Sequence, residues 1–133
     1  MDRSGARAPS LDDFEAMARE AFAALPEDFR VLAGDVVFRV ADFPDADVVR
    51  DMQLDSEFDI LGLFQGPQLS DHGAGRVHGE QTMIYLYRRP ILDYWAEHDE
   101  ALGDIVRHVL IHEIGHHFGL SDDDMGAIER AAD

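Results

Sequence analysis

The apolar positions of this chain fall into short patterned runs separated by polar stretches that contain glycine or proline. Leu11, Phe14, Ala18, Ala21, Phe22 and Leu25 recur at helical spacing. Ser10 precedes them as an N-cap, and Asp12 and Asp13 favour the positive end, so a helix is predicted through Leu25, where Pro26 marks its end. "DVVFRV", Asp35 to Val40, reads as a strand, and Asp45 to about Leu54 as a short helix. "ILGLFQG", Ile60 to Gly66, is an apolar run bounded by glycine and proline and reads as a strand or extended segment. Leu69 to Gly79 is a glycine-rich loop or hairpin connection. "TMIYLY", Thr82 to Tyr87, has the strongest β character, with both faces apolar and therefore both covered. Arg88, Arg89 and Pro90 stop that strand, and a short helix is predicted from Ile91 to His98. A long helix follows from about Glu100 to Phe118, ended by Gly119 as an αL cap. Ser121 or Asp122 then caps a last helix through about Ala132. This order predicts a small α+β layer architecture. Residues 1–9 form a loose tail, and residues 10–133 form one domain.

The long helix changes character along its length. In its first half Leu102, Ile105, Val106 and Val109 share one face. In its second half Leu110, Ile111, Ile114 and Phe118 move to the opposite side, and His112, Glu113 and His116 take over the original face. A helix end merely facing water does not need apolar residues on its other flank. The pattern fits a cleft with a polar wall.

Composition narrows the chemistry. The chain carries 28 acidic and 11 basic side chains, a net charge of −17, and every basic one is Arg. That charge repels phosphate backbones and anionic membrane surfaces, so nucleic acid and membrane are excluded as expected partners. It is compatible with binding cations. With no cysteine, any metal must be held by His and carboxylate ligands. The N-terminal segment has no apolar signal region, and no run of about 18 apolar residues occurs, so cytoplasmic residence is the expectation.

"HEIGHHFGLSDDDM", His112 to Met125, places three histidines and a glutamate within six residues, then a glycine, then aspartates. Histidines at i and i+4 lie about 40° apart and one turn along, so both imidazoles can reach one ion at about 2.0–2.1 Å. Glu113, beside His112 but rotated from it, is placed to hold a water bound to that ion and take its proton. Zinc lowers the pKa of such a water towards about 7. Gly119 lets the chain turn, and Asp122, three positions later, can return as a third ligand. Requiring Gly and Asp at those positions lowers the chance occurrence of the bare five-residue motif roughly a hundredfold.

"HEIGHHFGLSD" resembles the H-E-x-x-H-x-x-G-x-x-D pattern of the zincin metallopeptidases whose third ligand is aspartate. "LGLFQG", "IYLYRRPILDYW" and "VLIHEIGHHFGLSDDDM" are similar to the minimal zincin-like metallopeptidase family of small bacterial proteins, a likeness running from about Leu11 to the C-terminus. It implies a short mixed sheet packed on helices, with the metal-site helix beneath the sheet. It also implies a zinc ion on His112, His116 and Asp122, with Glu113 as general base. In zincins an edge strand beside the metal helix pairs with the extended peptide, and Thr82 to Tyr87 resembles that strand. The expected activity is zinc-dependent hydrolysis of peptide bonds, with a peptide or unfolded protein as substrate. Two departures from larger zincins stand out. Eleven residues follow Asp122, where larger zincins build a second cleft wall, and Met125 lies too close behind Asp122 to be their Met-containing turn. Few subsites then bind the substrate, so slow cleavage of short or unfolded peptides is expected.

Other polar residues have plainer readings. Asp122 is also a favoured N-cap type, and Ser121 could cap instead and free it. Asp123 and Asp124 read as first-turn acids of the last helix. His117 reads as outer-shell or surface, His108 as a packing or outer-shell residue one turn before His112, and His72, His78 and His98 as ordinary polar positions. Tyr85, Tyr87 and Tyr94 carry hydroxyls suited to an oxyanion, and the sequence does not choose among them or set the oligomeric state. Two rivals stand beside the hydrolase: a metal-binding zincin scaffold without turnover that binds a peptide or protein, and a structural helix that binds no metal.

Overall fold

The computed structural model describes residues 4–65 and 82–132. Helix α1, Leu11–Ala23, begins at a capping box in which Ser10 Oγ accepts from the Asp13 N–H at 3.1 Å and the Asp13 carboxylate accepts from the Ser10 N–H at 2.8 Å. It ends two residues before the expected Leu25, because Pro26 does more than stop a helix. Pro26 is the N-cap of a second helix, α2, Glu27–Ala33, which buries Phe29 and Ala33. Strand β1 (Val36–Ala41), helix α3 (Ala46–Asp51), a single 3₁₀ turn (Glu57–Asp59) and strand β2 (Gly62–Gln65) follow. After the connection that includes the predicted Leu69–Gly79 loop and His72 and His78, all outside the described residues, come strand β3 (Thr82–Tyr87) and helix α4 (Arg88–Glu97). Pro90 falls in the first turn of α4, where its missing N–H costs nothing, so the helix starts directly from the strand and not at Ile91. Helices α5 (Leu102–His117) and α6 (Asp122–Ala132) complete the chain.

The sheet is mixed, in the order β1-β3-β2: β3 runs parallel to β1 and antiparallel to β2. Thr82 to Tyr87 is therefore the centre of the sheet among the described residues. The expectation of an edge strand there is corrected: its two apolar faces reported covered faces, and β1 and β2 cover both its edges as well. The strand that packs on α5 is β2, whose Gly62 lies against Val109. Pairing to β2, Phe64 opposite Ile84 and Gly62 opposite Leu86, fixes which β2 side chains face the helix.

One core joins sheet and helices. Phe14 and Ala18 of α1, Ile84 and Leu86 of β3, Ile91 of α4, and Val106, Leu110, Ile111 and Ile114 of α5 are all fully buried in it. The apolar residues that switch sides along α5 are thus core, except Phe118, which is half-buried and packs against it. Arg88 ties the chain's beginning to the sheet end, donating to the Pro9 carbonyl at 2.6 Å and pairing with Asp42 at 3.1 Å.

Met125 of α6 is fully buried against Gly115 of α5, where a β-carbon would stand 2.6 Å from the Met125 sulfur. It therefore seats α6 on the helix that carries the histidines. Met125→Ala is expected to cost about 2–5 kcal/mol in thermal or denaturant unfolding, since it leaves a cavity beneath that helix. A loss under about 1 kcal/mol would show that the two helices close over the space.

Candidate metal centre

Helix α5 ends at Gly119, whose φ of 76° is the left-handed conformation that only glycine adopts freely. The Gly119 N–H donates to the His116 carbonyl at 3.1 Å and the Leu120 N–H to the Gly115 carbonyl at 2.9 Å, closing a Schellman turn. The chain then doubles back. Met125 meets Gly115 and Glu129 meets His108, so α6 runs back along α5 in the opposite direction.

Ser121 caps α6. Its Oγ accepts from the Asp124 N–H at 3.0 Å, and the Asp124 carboxylate accepts from the Ser121 N–H at 3.2 Å. This reciprocal pair occupies Asp124 and leaves the Asp122 carboxylate out of the cap. Asp122 is the first helical residue of α6 and is exposed.

His108, His112 and His116 form a row one turn apart along α5. The His108 and His112 rings lie 3.9 Å apart and the His112 and His116 rings 5.7 Å apart. His112 and Glu113 are half-buried, while His108 and His116 are exposed. Burial raises the Glu113 carboxyl above its ordinary value, and the neighbouring His116 acts the other way with the smaller effect. His112 has its proton affinity lowered, chiefly by burial and then by His108, although Glu129 and Asp122 act in the opposite sense. Both shifts favour the forms a metal peptidase needs: a neutral imidazole and a carboxylate basic enough to take a proton.

His108, His112 and Glu113 line one cleft of about 250 Å³, together with Asp59, Ile60 and Leu61 before β2. A second cleft of about 180 Å³ shares Leu61, His108 and Val109 with it and holds Tyr94 and Glu100. Tyr87 is buried, and its hydroxyl is pushed up to about 12, mainly by burial, then by Asp45, Tyr85 and the Glu113 carboxylate. Tyr85 and Tyr87 line a third cleft with Asp45, Asp47 and Asp51. His117 packs its ring on Phe64 at 4.3 Å, and His98 donates from Nδ1 to the Tyr94 carbonyl at 2.7 Å.

Among the described residues this helix pair accompanies a mixed sheet of three strands. The sequence model of the zincin-like metallopeptidases matches residues 33–132. This chain belongs to the zincin-like metallopeptidase family. The match spans both helices of the candidate centre and the three strands of the described residues. No curated protein matches the chain.

The donor set suits a zincin-like metallopeptidase. His112 and His116 present two imidazoles one turn apart, the Asp122 carboxylate acts electrostatically on His112, and no thiolate competes. The tightest cluster among the described residues, however, is a different one. Ligand atoms of His108, His112 and Glu129 lie within 4.8 Å of one another, and His116 and Asp122 stand outside that group. Glu129 was not among the residues singled out by sequence reasoning. The signal was present: histidines at i, i+4 and i+8 on one helix, answered by carboxylates seven residues apart on the next.

The raised Glu113 pKa has a consequence for the metal-free protein. The folded state binds that proton more readily than the unfolded chain, so the ionised carboxylate costs stability above its folded-state pKa, and the cost disappears below about 4.5. Metal-free Glu113→Gln is expected to melt above wild type at neutral pH, with the gap closing on acidification. Melting curves with chelator from pH 4 to pH 8 measure this. A gap that ignores pH would place the carboxylate in water.

Proposed function

We propose that this zincin-like metallopeptidase is a zinc-dependent hydrolase of peptide bonds. His112, His116 and Asp122 hold the ion, and Glu113 is the general base. The observation that carries the reading is Glu113 itself: a half-buried carboxylate of raised basicity, lining the cleft beside His112 and one turn from His116. Zinc, when bound, supplies a Lewis acid that acidifies water and polarises the peptide carbonyl. Glu113 receives the proton as the water oxygen attacks the carbonyl carbon. It then hands the proton to the amine nitrogen as the C–N bond breaks, so the residue ends as it began.

An extended peptide is proposed to pair with β2, Gly62–Gln65, which packs on α5 and carries β3 on one edge only among the described residues. Such pairing engages backbone groups and leaves side-chain preference to the clefts beside it. Among the described residues no helix is long and apolar enough to cross a membrane.

The test combines metal analysis with cleavage of a peptide library. Protein purified without added metal is expected to hold about one zinc per chain, to cleave library peptides, to stop with chelator and to resume when zinc returns. Zinc bound with no cleavage of any library member would favour a metal-binding scaffold without turnover. No bound zinc at all would leave a structural helix.

A further inference from the structure

His108 carries contacts that an isolated surface histidine does not need. Its Nδ1 lies 2.5 Å from Glu129 Oε1, and the same oxygen lies 3.5 Å from His112 Nε2. Because α6 retraces α5, the histidine row meets two carboxylates: Asp122 near one end of α6 and Glu129 about two turns further along. We propose that His108, His112 and Glu129 form a second place for a divalent transition-metal cation, overlapping the first through His112.

The geometry is close to what an ion requires. Donors about 2.0–2.1 Å from a tetrahedral ion stand roughly 3.3 Å from one another. His112 Nε2 and Glu129 Oε1 are already near that separation. His108 Nδ1 must withdraw from Glu129 by roughly 1 Å to reach it, and with its side chain 57% exposed it has room to do so. Two imidazoles and a carboxylate favour zinc, cobalt or nickel over magnesium or calcium. An exposed His–Glu ion pair explains the His108 contact alone. It does not explain why the oxygen is shared with His112.

The two places exclude each other, since His112 Nε2 serves one ion at a time. An ion held by His108, His112 and Glu129 deprives the first place of a ligand. It also sits one turn away from His116, the neighbour of Glu113. The chain therefore holds one ion in one of two adjacent positions. The second place stands on its own geometry, and only its effect on hydrolysis rests on the peptidase reading.

The test titrates metal-free protein with cobalt, followed by visible absorption, and with zinc, followed by competition with a chelating dye. His116→Asn with Asp122→Asn disables only the first place, and His108→Asn with Glu129→Gln only the second. Each double variant is expected to bind one ion, with its own cobalt spectrum. The quadruple variant and His112→Asn are expected to lose more than about a hundredfold in affinity relative to either double variant. The proposal is overturned if the His116/Asp122 variant binds no ion. It is equally overturned if that variant's residual affinity is unchanged when His108 and Glu129 are also replaced. Loss of all binding in the His108/Glu129 variant would instead sustain this place and sink the ligand set proposed for hydrolysis.

Discussion

Glu113→Gln is expected to lower kcat/KM for a cleaved peptide by about 10²–10⁴-fold while leaving zinc affinity within a few-fold of wild type. Glutamine keeps the size and hydrogen-bonding reach of glutamate but cannot accept the proton from water. Glu113 makes no bond to the ion in this account, so the variant should retain metal. The half-buried position of Glu113 concentrates the effect, because solvent has limited access to act as base in its place. Kinetics on the purified variant and competition with a zinc chelator separate the outcomes. Hydrolysis at the wild-type rate would remove Glu113 as the base. Loss of zinc would make it a ligand.

The second large effect is expected at Asp122. With Ser121 and Asp124 forming the cap of α6, the Asp122 side chain makes no cap bond that a substitution would break. Asp122→Asn should therefore leave metal-free stability within about 1 kcal/mol of wild type. It removes a negative charge from the ion, so zinc affinity should fall by more than about a hundredfold. Asp122→His should retain much of the affinity, because imidazole is itself a good zinc ligand. Melting of the metal-free variants and chelator competition measure both quantities. Unchanged affinity in the asparagine variant would exclude Asp122 as a ligand and turn attention to Glu129 beside His108 and His112, or to Asp123, since Asp124 is held in the cap.

Much of this was legible in the sequence because it is local. Ser10 and Asp13, the αL turn at Gly119, and the opposed apolar faces of α5 are each written within one or two turns of chain. Helix α2 was missed because proline was read only as a stop, whereas Pro26 followed by Glu27 and Asp28 is also a good helix start. The place of β3 in the sheet was missed for a different reason. Side-chain burial reports what lies above and below a strand, and says nothing of what pairs with its edges. Glu129 was not singled out for a third reason: the spacing of histidines and carboxylates is in the sequence, but its meeting with His108 depends on how α6 returns along α5, set by Met125 packing on Gly115. Within the proposed site, the HExxH spacing was readable at once, while the competing cluster required the second helix.

The most direct measurement is a crystal structure of the protein loaded with one equivalent of zinc, with the ion located by its anomalous scattering. The account predicts zinc bonded to His112, His116 and Asp122 at about 2.0–2.2 Å, an open position facing the cleft, and the Glu113 carboxylate beside that position without a bond to the ion. Zinc held without His116 and Asp122, or a fourth protein ligand closing the site, would contradict it.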